Sequence, residues 1–400
     1  MSEAASGPVF AAHSMPATHS AAVRLCRSEA RLLSAYNAGV REEVVKAKYG
    51  LTRVTKLASN ENPLGASPQA TAAVAGWLGQ LHRYPDPTCA ALRQALQAAR
   101  GIDAGRILVG NGSEDIIESA CKAVLAPGDR VVTLAPSFGL HEIFPRMMGA
   151  TVDKVPVGKT FEFDLAAWRV ALARPAKLVI FSTPSNPVGC ILSGRQLEAL
   201  IGACPEDSLL VVDEAYHEYA AGPDYPDSLE LLAAQSRPWI VLRTFSKAYG
   251  LAGLRIGYGV ASDAELVSVL DRVRTPFNVN GAAQAAALAA MSDAAHLQAV
   301  VRANACERAA LAARLAALEG SRQQGLRTTP SKGNFLFIDT ARPGWKVSDA
   351  LMRRGVIVKP WLEQGFDSFI RVSVGRPEES EHFLLSLEEV LDEVPRERWA

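Results

Sequence analysis

Three short apolar runs sit in the middle of the chain: KLVIF (177–181), SLLVVD (208–213) and WIVLR (239–243). Each is rich in Val, Ile and Leu, and each gives way to polar residues at its end. A strand with one wet face alternates apolar and polar residues, whereas an unbroken apolar run of this length must be covered on both faces. The runs therefore predict parallel strands inside an open sheet. Helix-like stretches such as SGRQLEALIGAC (193–204) lie between them and supply the covers. Upstream, RILVG (106–110) and DRVVTLA (129–135) repeat the pattern around SEDIIESACKAVL (113–125), which PGD (127–129) closes. Strand, helix, strand, repeated, specifies an α/β fold with a mostly parallel sheet.

The pattern changes after about residue 275. The alanine-rich run from 282 to 320 reads as one long helix, and GNFLFID (333–339), GVIVKP (355–360) and FIRVSVG (369–375) read as shorter strands among helices. The expected organisation is a disordered tail over 1–30, an N-terminal arm over 31–55, a large domain over 56–275 and a smaller α+β domain over 276–400. The first thirty residues lack the basic start and apolar stretch of a secretory signal.

Charge and composition narrow the function. The 42 basic and 42 acidic residues cancel, which leaves no electrostatic footprint for nucleic acid. No apolar run approaches the ~18 residues of a membrane span. The six cysteines form no CxxC, and His141-Glu142 is followed by Pro145 where a zinc motif needs its second histidine, so no metal site is expected. A reducing, cytoplasmic setting follows. Nucleotide chemistry lacks its motifs: there is no GxGxxG after the first strand and no GxxxxGK[ST].

In open α/β sheets, ligands bind beyond the carboxyl ends of the strands, so the residues after each run carry the chemistry. RILVG is followed by NGSEDIIE, where Ser113 opens a helix; this suits either an ordinary N-cap or an anion seat. KLVIF is followed by STPSNPVG, with Asn186 beside prolines that fix its backbone; a plain turn asparagine is the bland alternative. SLLVV is followed by Asp213 and then Tyr216; a carboxylate at the end of a buried strand needs a partner or a cap. WIVLR is followed by TFSKAYGLAGLRIGYG (244–259), which places Lys247 directly after a buried strand. That lysine either forms a salt bridge, for instance with Asp213, or is a nucleophilic amine whose pKa falls through burial and nearby cations.

Together these groups fit one ligand, pyridoxal 5'-phosphate. Lys247 would take its aldehyde. Ser113, Ser246, Arg255 and helix N–H groups would hold its phosphate. Asp213 would keep the ring nitrogen protonated, Asn186 and Tyr216 would meet the phenolic oxygen, and Phe138 in PSFGLH (136–141) would stack on the ring.

The motifs LASNENPLG (57–65), RYPDP (83–87), GNGSEDIIE (110–118), STPSNPVG (182–189), VVDEAY (211–216), TFSKAYGLAGLRIGYG, NFLFI (334–338) and FIRVSVG carry a resemblance. In order and spacing, from about residue 35 to the C-terminus, the chain resembles the class I/II pyridoxal-phosphate aminotransferases of the aspartate-aminotransferase fold. Within them it is most similar to the histidinol-phosphate aminotransferase family. The resemblance implies a homodimer with shared active sites, in which Tyr84 reaches the neighbouring subunit's cofactor phosphate. It adds Glu114 and Thr244 to the cofactor site, and Tyr36, Asn60, Lys359 and Arg371 to the substrate site. Two departures stand out. Lys359 occupies a position where the family often has arginine, and Tyr36 is followed by Asn-Ala-Gly in place of Pro-Gly. The implied reaction passes an amino group from a small-molecule donor to a 2-oxo acid, with Lys247 as the catalytic base. Histidinol phosphate and 2-oxoglutarate are the expected pair. The alternatives are an aromatic amino-acid (Phe/Tyr) aminotransferase, a decarboxylase or lyase on the same fold, and a non-catalytic ligand-binding or regulatory protein.

Overall fold

The structure is a computed structural model that describes residues 20–33 and 36–396. Its first strand, β1 (Thr55–Lys56), joins no large sheet and is considered below. The central sheet has seven strands: β2 (Ile107–Gly110), β3 (Arg130–Ala135), β4 (Thr151–Pro156), β5 (Leu178–Ser182), β6 (Leu209–Asp213), β7 (Trp239–Thr244) and β8 (Gly257–Ala261). Their order is β2-β8-β7-β6-β5-β3-β4, parallel throughout except that β8 runs antiparallel to both neighbours.

The double cover expected of the apolar runs is visible residue by residue. On β5, Val179 and Phe181 enter one core while Leu178 and Ile180 enter another. On β6, Leu210 and Val212 join the first and Leu209 and Val211 the second. Side chains alternate across a strand, so a run with no polar member is what two covered faces require.

Two strands departed from that pattern. In β4 only Val155 is buried, because the strand lies at the sheet edge. β8 carries Gly257 and Gly259, which depress strand propensity. A Cβ on Gly257 would lie 2.5 Å from the Ser113 amide nitrogen, so the close approach of the helix Ser113–Val124 excludes a side chain there.

The alanine-rich run forms two helices, Gly281–Ser292 and Ala294–Arg322, where the sequence reading expected one. Asp293 breaks them: its side chain accepts from the His296 amide at 3.2 Å and caps the second helix. The first helix places Ala283, Ala286, Ala287 and Ala290 in a core of the central sheet, which therefore extends past residue 275. Beyond it, β9 (Arg327–Thr328), β10 (Phe335–Asp339), β12 (Lys359–Pro360) and β13 (Phe369–Ser373) form an antiparallel sheet in the order β12-β13-β10-β9. The helices Gly344–Arg353 and Pro377–Glu393 contribute Val347, Leu351, Phe383 and Leu387 to its core. The single strand expected at GVIVKP is divided. β11 (Val356–Ile357) pairs in parallel with β1, and β12 turns to β13.

Of the expected tail, residues 1–19 lie outside the described residues. Residues 21–25 and 28–32 form two short helices, the first capped by the Ser20 side chain.

Candidate active site

The carboxyl ends of β5, β6 and β7, the start of the helix Ser113–Val124, and the strands β12 and β13 open onto one cavity of about 460 Å³. Fourteen of the fifteen residues singled out from the sequence line it; Tyr84 does not.

Asp213 ends β6 and is 4% exposed. Its Oδ2 lies 3.2 Å from Nε2 of the buried His141, and its Oδ1 accepts from the Ala215 amide at 3.0 Å. His141 is in turn held through Nδ1 by the Ser137 hydroxyl at 3.0 Å. The carboxylate is thus paired and aimed by protein groups, and Lys247 is not among them. The Lys247 amine donates to the Ser59 carbonyl at 3.2 Å. Burial, with Arg371 and Arg255 adding repulsion, pushes its pKa down to about 8, against attraction from Glu61 and Asp213. The structure thus favours the reactive-amine reading over a salt bridge to Asp213.

Tyr216 receives a hydrogen bond at its hydroxyl from Asn60 Nδ2 at 2.8 Å. Burial pushes its phenol up to about 12, which leaves it protonated and able to donate near neutrality. Asn60 is locked by more than that bond. Its amide donates to Ser373 Oγ at 2.8 Å, and its carbonyl accepts from Asn334 Nδ2 at 3.0 Å. It holds φ 54°, a left-handed backbone that asparagine tolerates better than most residues.

The anion seat is built by close packing. Arg255, at φ 55°, donates to Ser246 Oγ at 3.2 Å and to Glu114 at 2.8 Å. A Cβ on Gly112 would sit 2.5 Å from the Arg255 guanidinium, so glycine there lets the arginine lie against the helix start. Thr244 Oγ1 accepts from the Ser246 amide at 3.1 Å and fixes the turn between β7 and Lys247. Thr133, also lining the cavity, is fully buried, and its hydroxyl has no partner among the described residues. Phe138 stands edge-on to Tyr36, with ring centroids 6.4 Å apart.

Arg371 is far from a surface arginine. It lies on β13 between two neighbours, 8% exposed, and donates to Asn186 Oδ1 at 2.6 Å and to the Ala58 carbonyl at 2.7 Å. Its Nε is buried without a partner. The contact with Asn186 uses that residue's carbonyl, which leaves its amide N–H groups to meet a ligand oxygen. Directly across the strand pair from Arg371 stands Lys359, whose amine donates to the Asn37 carbonyl at 2.6 Å. Burial and the Arg371 charge push Lys359 down to about 8. Like charges directly opposite on a sheet repel, and an anion between them would relieve that repulsion.

These features fit pyridoxal 5'-phosphate: a buried low-pKa amine, a braced carboxylate, a phenol and an amide on one side, and an arginine packed against a helix start. Sequence reasoning missed His141, weighed only as a metal ligand, and Thr133. It also passed over Lys154 and Glu363 at the rim. His141 is the second residue of the helix Leu140–Met147, and nothing in its local sequence marks it as the partner of Asp213.

The profile of the family "Aminotransferase class I and II" matches residues 52–387. Histidinol-phosphate aminotransferase 1 of Mesorhizobium japonicum is 46% identical over 367 residues, covering 92% of this chain and 98% of that protein. Histidinol-phosphate aminotransferase 3 of Rhizobium meliloti is 48% identical over 368 residues, with the same coverage of 92% and 98%. Among solved structures, histidinol-phosphate aminotransferase from Sinorhizobium meliloti in complex with pyridoxal-5'-phosphate superimposes with a TM-score of 0.83 at 29% identity, over 92% of this chain and 98% of that one. A double mutant of Thermus thermophilus aspartate aminotransferase, 22% identical with a TM-score of 0.75 over 92% and 99% of the chains, shares the fold. By profile, by identity over nearly its whole described length and by fold, this chain belongs to the pyridoxal-phosphate-dependent class I and II aminotransferases, in the histidinol-phosphate aminotransferase family.

Proposed function

We propose that this protein transfers the amino group of L-histidinol phosphate to 2-oxoglutarate, as a step of histidine biosynthesis. The observation that carries the choice of donor is the facing pair Lys359 and Arg371, which sets two cations against the cavity. Relatives at 46% and 48% identity are named histidinol-phosphate aminotransferases, which supports the donor.

Pyridoxal 5'-phosphate supplies an aldehyde that carries the amino group and a ring that accepts the electron pair of the donor's α-carbon. Lys247 would hold that aldehyde, and its depressed pKa and tether beside the donor's α-carbon would let it serve as the base for the proton there near neutral pH. Asp213, aimed by His141, would meet the cofactor's ring nitrogen, and Tyr216 and the Asn186 amide would donate to its phenolic oxygen. Ser113, Ser246 and Arg255 would hold its phosphate, with Glu114 fixing Arg255 and Thr244 fixing the turn. Phe138 would lie against the ring. Tyr36 and Asn60 would border the donor, and Arg371 and Lys359 would take its anionic group.

The reading extends to a homodimer in which Tyr84 serves the partner's cofactor phosphate. Tyr84 is 83% exposed, outside its own chain's cavity, and stacks at 4.6 Å on the exposed Phe277. Leu78 and Leu81, a few residues earlier in the chain, are also exposed, and exposed apolar side chains of this kind support an interface. We place the enzyme in the cytoplasm, because all six cysteines are free thiols in a fold that brings several of them under cover. No helix of the described residues is long and apolar enough to cross a membrane.

The aromatic wall of Tyr36, Phe138 and Trp361 favours phenylalanine or tyrosine as the second reading of the donor. The deciding experiment is a half-reaction without oxo acid, followed by loss of the bound cofactor's visible absorbance. L-Histidinol phosphate is expected to react at least ~10-fold faster than L-phenylalanine, on the scale of one added charged contact. Faster reaction with phenylalanine would make the protein an aromatic aminotransferase, and release of carbon dioxide without an acceptor would make it a decarboxylase.

A further inference from the structure

We propose that Glu363, at the rim of the cavity, is a specificity-determining residue that accepts a hydrogen bond from the donor's ring N–H and so selects an imidazole over a phenyl ring. This rests on the donor assigned above. Among the described residues four carboxylates line the cavity: Glu114, Glu142, Asp213 and Glu363. Two are committed to the cofactor end, Glu114 by Arg255 and Asp213 by His141 and the Ala215 amide.

The other two flank Lys154, whose amine lies 3.1 Å from Glu142 Oε2 and 2.9 Å from Glu363 Oε1. Burial alone would lower the Lys154 pKa, but hydrogen bonds and charge from Glu363 and Glu142 outweigh it and hold the amine above its ordinary value. The two carboxylates differ. Glu142 is spread between Lys154 and Arg146, 31% exposed. Glu363 is 20% exposed, and its Oε2 also accepts from the Trp361 indole N–H at 3.2 Å, which together with Lys154 holds the carboxylate at the edge of the indole ring.

A flat wall ending in an oriented carboxylate is complementary to a planar ring with an N–H on its edge. A phenyl ring fits the wall but offers Glu363 no donor. Charge fixes the orientation as well. The segment from Lys359 to Glu363 presents a cation at one end and a carboxylate at the other, and both line the cavity. A donor with a phosphate and an imidazole is drawn to Lys359 and Arg371 at its phosphate and to Glu363 at its ring, and the reverse pose sets phosphate against carboxylate. Sites built to hydrogen-bond a substrate N–H discriminate far more sharply than apolar walls do.

The test uses the holoenzyme and the ratio of half-reaction kcat/KM for L-histidinol phosphate to that for L-phenylalanine. Glu363→Leu is expected to lower the ratio roughly 10- to 100-fold, the loss of one charge-assisted hydrogen bond, and Glu363→Gln to lower it less. Lys154→Met separates recognition from bracing: it removes the rim bridge but leaves the carboxylate, so the ratio should hold or rise. A ratio that stays within about twofold of wild type in both Glu363 variants overturns the proposal, as does an equal loss for both donors in all three variants. A wild type that does not use histidinol phosphate at all would instead overturn the assigned donor, and this inference with it.

Discussion

Lys359 turns a family departure into a measurable property. Its pKa of about 8, set by burial and by Arg371, lies below that of a free lysine, so its charge is present below that pH and lost above it. With histidinol phosphate as donor, kcat/KM should therefore fall as pH rises through about 8, because an anion loses one of its two cations. Lys359→Arg should remove that alkaline fall, since a guanidinium stays charged. A wild-type fall that persists unchanged in the arginine variant would assign the titration elsewhere. The same logic applies to Lys247. In cofactor-free protein its amine is neutral and nucleophilic above about 8, so capture of pyridoxal phosphate, trapped by borohydride, should rise through that pH. Arg371→Met removes a cation that holds this pKa down, so the rise should move to higher pH; an unmoved profile would deny the coupling. Lys247→Ala should cost roughly 10³-fold or more in turnover, as loss of a positioned general base does. These residues were legible because each directly follows a strand end or sits in a motif of unusual composition. His141, Thr133 and Lys154 were not, because their meaning lies in what they face across the fold. A histidine that braces a carboxylate 72 positions later carries no local signature.

Strands, too, were readable where burial was two-sided and hidden where it was not. β5, β6 and β7 stood out as apolar runs; β4 is mostly polar at the sheet edge with only Val155 buried, and β8 trades side chains for the close approach of a helix. The alanine-rich helices merged in the sequence because a single capping aspartate divides them. One element-level contact was written in the sequence without being read, since Arg243 and Glu214 are charged residues at or just past the ends of the apolar runs WIVLR and SLLVVD. They meet between β7 and the end of β6 with Nε and Nη2 each 2.9 Å from Oε2, at 1% and 0% side-chain exposure. Ser228 and Tyr225 also donate to Glu214. The pair ties the strand bearing Asp213 to the strand leading to Lys247. Arg243→Met leaves the Glu214 charge buried without its main partner and should destabilise the protein by about 3–5 kcal/mol in urea unfolding. Adding Glu214→Leu should restore much of that loss, because it removes the orphaned charge. A single variant as stable as wild type would show that the hydroxyls of Ser228 and Tyr225 suffice.

At the scale of the whole molecule, one chain's fold gathers all the expected site residues except Tyr84 around one cavity. Fourteen converge on the cavity, yet this tyrosine points to solvent beside Phe277, which itself holds φ 55° and is exposed. Nothing within a single chain gives such a pair a role, and a sequence cannot display a second copy of itself; only the resemblance assigned Tyr84 a place. The proposed homodimer makes that assignment testable by mixing inactive chains. Lys247→Ala lacks the amine but keeps Tyr84, and Tyr84→Ala lacks the tyrosine but keeps the amine. If Tyr84 serves the neighbouring site, a mixed dimer contains one intact site, with Lys247 from one chain and Tyr84 from the other, and one site lacking both. Random reassembly makes about half of the dimers mixed, so denaturing and refolding the two variants together should return about a quarter of wild-type activity. If Tyr84 acted within its own chain, every mixed dimer would hold two defective sites, and the mixture would show no more than the average of its parts. The measurement requires that Tyr84→Ala alone be strongly impaired, and loss of one phosphate contact predicts a roughly 10- to 100-fold weaker hold on the cofactor. A variant that binds and turns over normally would remove Tyr84 from the site altogether, and with it the reason for sharing that site between chains.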